Sequence, residues 1–289
     1  MMDAQIVQLI QGSPEWHAHR ANYRNASETP IVMGLSPWVT PYQLWLQKTG
    51  RAKSEMNAAM ARGTQLEPQA RLAYEALTGQ IMQPLVMVAG DYSASLDGLT
   101  FDGSLIVEIK CPYKGQASNL WQAVEAGEIP AYYQWQIQHQ LVVSGATQAH
   151  LYVFDGKDGI LLEVSKFTDA EARIHAAWEA FWPSMTTDTP PPLTDKDKVM
   201  REDAAWQAAA KGYLALKAES DAVADKLDAA KAALVELAKH PSETGAGVTV
   251  TRFWKQGSVD YKKVPELAGV ELERYRGKAR EEVRVTAAK

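Results

Sequence analysis

The chain has 289 residues, 46% of them apolar and 22% charged, with a formal net charge of −5. These are ordinary values for a globular protein, and the length allows one large domain, or a core of about 200 residues plus an appendage. No run of about 18 apolar residues occurs, which excludes an apolar membrane-spanning helix. The first residues lack the basic-then-apolar layout of a secretory signal, and the lone Cys111 has no partner for a disulfide within the chain, so a cytoplasmic location is expected. A net negative charge offers polyanions no general attraction. Nucleic-acid binding would need basic groups gathered in one place, or metal ions to supply the positive charge.

In chain order, Thr40, Pro41 and Gly50 predict a short helix, with Thr as N-cap, Pro in the first turn and Gly past the end. A longer helical stretch runs from about Ser54 to Leu77 and stops at Gly79. Residues 81–88, 92–96 and 105–110 are short, β-rich and separated by Gly and Asp, so they read as consecutive strands. Residues 116–126 and 131–143 read as helices, the second opened by Pro130. A strand pair at 148–154 and 160–166 is joined around Asp155-Gly156, and a helix from Asp169 to about Phe181 follows. This order predicts an α/β domain over residues 1–190, a mixed sheet flanked by helices.

Residues 183–195, rich in Pro, Thr and Asp, read as a linker or a surface strap. Beyond it, residues 197–289 read as an extension of a long helix and a β-hairpin, whose role the sequence leaves open. Trp206, Tyr213, Leu227 and Leu234 share one heptad position and Leu216, Val223 and Leu237 another, with Ser220 interrupting the stripe. Such a stripe serves either a helix packed on its own hairpin or an arm for a partner or another copy. Residues 247–254 and 258–264 predict the hairpin, around Lys255-Gln256-Gly257, and 274–289 carry six Lys/Arg against two Glu.

The segment that carries chemistry is Ser95-Leu96-Asp97-Gly98-Leu99, followed by Glu108-Ile109-Lys110. Side chains alternate along a strand, so Glu108 and Lys110 point one way and Ile109 the other. An aspartate at the end of the preceding strand can meet them. Two carboxylates there suit a hard divalent cation, and the Ile109 carbonyl could complete the set. Lys110 is then placed to orient or deprotonate a water, or to stabilise charge on a phosphorane. By spacing alone, a solvated surface hairpin carries the same pattern. Histidines 17, 19, 139 and 150 show no zinc spacing, and no Walker-type glycine loop is present, so no nucleotide cofactor is expected.

The run Asp97…Glu108-Ile109-Lys110-Cys111-Pro112 resembles the PD-(D/E)-x-K nuclease signature in the form used by lambda exonuclease and the YqaJ-type viral recombinases. The resemblance extends to Trp16-His17-Ala18-His19-Arg20, Ala26-Ser27-Glu28, Gly63-Thr64-Gln65-Leu66-Glu67 and Tyr132-Tyr133-Gln134-Trp135-Gln136-Ile137-Gln138, in the family's order over roughly residues 12–185.

It implies a restriction-endonuclease-like fold in which Asp97 and Glu108 ligate Mg²⁺ (Mn²⁺ substituting) and Lys110 is the catalytic lysine. Glu67 would be a further acid reaching the metal directly or through water, and Gln136 a supporting residue. Glu67, Gln136 and Gln140 equally read as exposed helix positions. Arg20, Ser27 and Ser95 match a pocket for the 5′-phosphate of a DNA end, with Arg24 as a basic alternative. Where the family carries another phosphate-holding arginine this chain has Gln116, and Lys114 is the available substitute. The resemblance further implies 5′-to-3′ digestion of one strand of duplex DNA that leaves a 3′ overhang. A trimeric ring and a single-strand annealing partner in phage-type recombination are implied too. An endonuclease of the same fold and a non-catalytic DNA-binding scaffold are the alternatives.

Overall fold

The computed structural model describes residues 4–53, 57–199, 201–254 and 270. Strand β1 (Ala4–Val7) precedes helix α1 (Pro14–Asn22), whose N-cap Ser13 accepts from the Trp16 N–H. A two-residue strand β2 (Arg24–Asn25), one 3₁₀ turn and the single-turn helix α2 (Thr29–Val32) follow. Helix α3 (Pro41–Lys48) starts on a capping box made by Thr40 and Gln43. Helix α4 (Ala58–Thr78) is capped by Asn57 and ended by Gly79 at φ 71°, a left-handed position that favours glycine. Then come β3 (Gln83–Ala89), β4 (Tyr92–Leu99), β5 (Leu105–Lys110), α5 (Asn119–Glu125), α6 (Ala131–Ser144), β6 (Gln148–Phe154), β7 (Gly159–Ser165), α7 (Ala170–Phe181) and α8 (Pro183–Thr186).

Among the described residues, strands β1 to β7 form one mixed sheet in the order β1-β3-β4-β5-β6-β7, with β2 added parallel to the start of β4. The fold is the expected mixed α/β one. Its sheet is packed on both faces. One core gathers Leu96, Ile106, Leu151, Ile137, Leu141, Ile174 and Trp178 beneath α6 and α7. The other joins Tyr74 of α4 to Val107, Ile109, Tyr152 and Phe154. Strand β5 is therefore buried on both sides, and a charged residue there needs partners.

Between β4 and β5 the pairing is short: only Gly98 with Val107 and Leu99 with Ile106 are in register. The two strands splay apart before Asp97. At the seam Gly98 is required by space, because a β-carbon there would lie 2.6 Å from Met82 Cβ and 2.9 Å from Val107 Cγ1.

Two compact units divide the chain, Met1–Lys198 and Val199–Lys289. In the first, the Pro-rich strap is fastened by Thr40 Oγ1, which donates to Asp197 at 2.5 Å, and by Trp45 Nε1, which donates to the Ser184 carbonyl. The second holds α9 (Ala204–Leu237) and a hairpin of β8 (Ser242–Gly245) and β9 (Val248–Thr251). The described hairpin precedes the expected one, whose second strand is not among the described residues. Residues 248–251 pair backward, through a turn at Ala246-Gly247 where both residues have positive φ, and Lys255–Gly257 with 258–264 fall outside the described residues. So do the expected helix start at Ser54 and the basic stretch 274–289. Of the heptad stripe of α9, Trp206, Leu216, Val223, Leu227 and Leu237 are all more than half exposed.

Gly98→Ala should cost about 1–3 kcal/mol of stability, the usual range for overpacking a close contact. The urea unfolding midpoint of the purified variant measures it; an unchanged midpoint would show that β3 and β5 give way freely.

Candidate active site

Glu108 lies on the doubly buried strand β5 and is 1% exposed. Its carboxylate is held from three sides. Oε1 accepts from Gln136 Nε2 at 2.5 Å and pairs with the Lys110 ammonium, while Oε2 accepts from Gln140 Nε2 at 2.5 Å. Both glutamines come from α6, one turn apart, so one helix face grips both oxygens. Gln140 also reaches the Ser95 carbonyl. The reading of Gln136 and Gln140 as exposed is corrected: Gln136 is half-buried and Gln140 is 1% exposed.

Asp97 occupies the splay between β4 and β5. Its Oδ2 accepts from the Ile109 N–H at 2.8 Å, so the side chain takes over the role of the β4 backbone where the strands part. Ile109 is thus tied to the cluster through its amide N–H. Glu67 arrives from α4 through Arg71, which pairs with Glu67 at 2.7 Å and donates to the Asp97 carbonyl at 2.6 Å. Pro68, with no N–H to give the preceding turn, interrupts the α4 ladder beside Glu67.

The charges feel one another. Burial, and then the negative charge of Glu108, raise the Asp97 carboxyl well above the usual range; Lys110 opposes this and Glu67 adds to it. Burial also raises the Glu67 carboxyl, with Arg71 opposing and Glu108 reinforcing. For Lys110, burial works against the ammonium, but Glu108, Tyr133 and Asp97 outweigh it and raise its pKa. Its Nζ lies 5.1 Å from the Tyr133 ring centroid.

This donor set fits a hard divalent cation in kind: carboxylate oxygens at close quarters, with more negative charge than their neighbours relieve. It does not form a closed cage. Among the described residues no three Asp, Glu, His or Cys side chains converge on one point, so backbone or water oxygens would have to complete the coordination.

The second expected cluster is also assembled. Arg20, at the end of α1, donates to Ser27 Oγ at 3.1 Å and pairs with Glu28 Oε1 at 3.1 Å. Its guanidinium lies 4.7 Å over the Trp16 ring, and Trp16 Nε1 donates to Ser95 Oγ at 2.9 Å. Arg20 and Ser95 therefore both touch the Trp16 indole, Ser27 joins them through Arg20, and Ser95 stands two residues along β4 from Asp97. Arg24 does not join them: it stacks on Tyr92 and Trp182 and donates to the Tyr92 hydroxyl. Lys114 stands exposed in the turn after β5 and makes no bond to the cluster, while Gln116 donates to Asp155 at 2.8 Å.

The sequence reading gave no role to several residues here, although Glu28 and Tyr133 stand in its matched motifs. Glu28 is buried between Arg20 and Lys48 Nζ, which lies 2.9 Å away and also donates to the Arg20 and Tyr23 carbonyls. Arg71 and Tyr133 complete the group. The Glu67-Arg71 spacing of four was the one visible signal. Of the histidines, His139 is buried under α6, contacts Thr29 Oγ1 at 2.5 Å and is pushed down to about 3, first by burial and then by His175; it belongs to the core.

A sheet of this order, with Asp97 and Glu108-x-Lys110 at the seam of its splayed central strands, is the arrangement that the resemblance to the PD-(D/E)-x-K nucleases implies. Residues 15–147, a little under half of the chain, match the YqaJ-like viral recombinase domain. It is similar to the YqaJ protein of Bacillus subtilis (strain 168), 27% identical over 199 residues; the match covers 65% of this chain and 61%, less than two thirds, of that protein. Among solved structures it is similar to the alkaline exonuclease LHK-Exo of Laribacter hongkongensis, with 26% identity and a TM-score of 0.51 over 61% of this chain and 94% of that one. The same enzyme in complex with dAMP matches with 25% identity and a TM-score of 0.52, at the same coverage.

A carboxyl with a raised pKa in the fold binds its proton more tightly there than in the unfolded chain. Its stabilising contribution is complete below the unfolded carboxyl pKa, about 3.9, and is lost as pH rises through the folded value. Ionised Asp97 therefore costs the metal-free fold stability near neutrality. Asp97→Asn keeps an oxygen for the Ile109 N–H and should melt above the wild type in chelator at neutral pH, with the gap closing below about pH 4. A variant that melts lower at neutral pH would show that the carboxylate is compensated.

Proposed function

We propose that the chain is a metal-dependent exonuclease that hydrolyses one strand of duplex DNA from a 5′-phosphorylated end, leaving a 3′ single-stranded overhang. The observation that carries this reading is that Ser95, which Trp16 links to the Arg20–Ser27 pair, lies on the same strand as Asp97. Ser95 and Asp97 are two residues apart on β4, about 7 Å, so an anion held at the first reaches toward the second. A forked guanidinium and two hydroxyls suit a terminal phosphate. Likeness to an alkaline exonuclease that has been solved with dAMP supports the same reading.

Asp97 and Glu108 are the proposed ligands of Mg²⁺, with Mn²⁺ as a substitute; Glu67 stands behind them, already engaged by Arg71. When bound, the cation would polarise the scissile phosphate and make water a better nucleophile. The chain's own groups do the rest. Gln136 and Gln140 fix the Glu108 carboxylate, and Asp97 is anchored on the Ile109 N–H. Lys110, on Glu108 and beside Tyr133, orients the attacking water and lends positive charge to the phosphorane. Arg20 and Ser27 fix the register of the strand end. A homotrimeric ring would hold DNA in a locally basic channel despite the net charge of −5, and a single-strand annealing protein would take up the exposed 3′ strand.

In Mg²⁺ the protein should release nucleotides from linear duplex DNA and spare covalently closed circles. Equal cutting of circles would replace the exonuclease with an endonuclease, and binding without cutting would leave a scaffold. Lys110→Ala should lower the rate by about 10²–10³-fold. Arg20→Ala should slow digestion of 5′-phosphorylated ends by about tenfold more than of 5′-hydroxyl ends, a phosphate-specific loss. Equal slowing of both would remove Arg20 from the phosphate pocket.

A further inference from the structure

Trp38 is 65% exposed, although indoles carry more apolar surface than almost any side chain. Its loop is firmly built. Gly34 turns the chain at φ 70° after α2, the Leu35 and Ser36 N–H groups both donate to the Pro30 carbonyl, and Ser36 Oγ accepts from the N–H groups of Trp38 and Val39. Thr40 then starts α3. The indole is thus held out by a rigid turn rather than by a loose tail.

It is also continuous with the catalytic centre. Trp38 meets the Tyr132 ring edge-on at 4.8 Å, Tyr132 lies 4.5 Å from Tyr133, and Tyr133 faces the Lys110 ammonium at 5.1 Å. Both tyrosines are in the first turn of α6, one turn before the Gln136 that grips Glu108. A row of aromatic rings therefore leads from the catalytic lysine to an exposed indole.

We infer that Trp38 is a stacking platform for a nucleobase of the strand being cut, with Tyr132 supporting its edge. The inference rests on the nuclease reading above. Hydrolysing one strand from a duplex end requires the terminal pair to open so that the backbone can reach a centre walled by α6. An opened base loses its stack to water, and an aromatic face beside the centre restores one. Stacking needs no base identity, which suits an enzyme that proceeds along any sequence.

The test is the affinity of the full-length protein, in chelator, for a short 5′-phosphorylated single strand labelled at its 3′ end. The strand is either fully based or carries one abasic residue, moved stepwise through the 5′-terminal nucleotides. For the wild type, one abasic position should weaken binding about tenfold. In Trp38→Ala the intact strand should bind about tenfold more weakly, and the same abasic position should cost nothing further. Trp38→Phe, which keeps a ring, should retain most of the wild-type pattern, and Tyr132→Leu should lose part of it. The inference is overturned if Trp38→Ala weakens all strands alike, if it weakens none, or if no abasic position matters to the wild type. Failure of the platform alone would leave digestion of linear duplex by the wild type intact; a wild type that neither binds nor digests DNA would remove the nuclease reading as well.

Discussion

Everything at this centre depends on keeping one carboxylate, Glu108, inside a strand that is buried on both faces. An unpaired charge there would cost several kcal/mol, so the fold surrounds it with donors. Two amides from one face of α6 and the ammonium two residues along β5 supply them. The arrangement accounts for two polar positions on α6, one half-buried and one buried. Gln136 and Gln140 point into the protein at Glu108, Gln138 bonds the Ser165 carbonyl and the Phe167 N–H, and His139 meets Thr29, while Ile137, Leu141 and Val143 are in the core. The same clamp sets direction, since a carboxylate held by both oxygens presents a fixed edge to the seam where Asp97 waits.

The seam is the second constraint. By parting after two paired residues, β4 and β5 leave the Ile109 N–H without a backbone partner, and Asp97 supplies one. That bond brings a second carboxylate toward the first without burying it completely. It also ties the site to α1, because the strand that offers Asp97 offers Ser95 to Trp16 and Ser93 to His19. The cost is mutual repulsion among Asp97, Glu108 and Glu67, only partly relieved by Lys110 and Arg71. A site that stores unrelieved negative charge is less stable than it could be, and a cation bound there would convert that cost into affinity.

Much of this was legible from residues alone. Alternation located β4, β5 and β6 closely, and Glu108-Ile109-Lys110 declared its two faces. Gln140 was not legible because helix amphipathicity equates polar with exposed, and α6 breaks that rule: Ile137, Gln138, His139, Gln140 and Leu141 are all at most 1% exposed. Glu28 was hidden for the same reason, being a carboxylate whose partners, Arg20 and Lys48, come from separate helices. Strand β1 has only four residues and one partner, too little pattern to read. The β8–β9 hairpin was not legible because Ala246, rare at positive φ, makes its turn. The stripe on α9 was read correctly as a stripe, but spacing does not say what covers it.

The central claim is that Asp97 and Glu108 form one cation-binding centre. Titration of the DNA-free protein with Mn²⁺, followed by electron paramagnetic resonance, addresses it directly. The account predicts saturable binding by the wild type that weakens by about tenfold or more in both Asp97→Asn and Glu108→Gln. Binding that survives both substitutions unchanged, or a wild type with no saturable site, would contradict it.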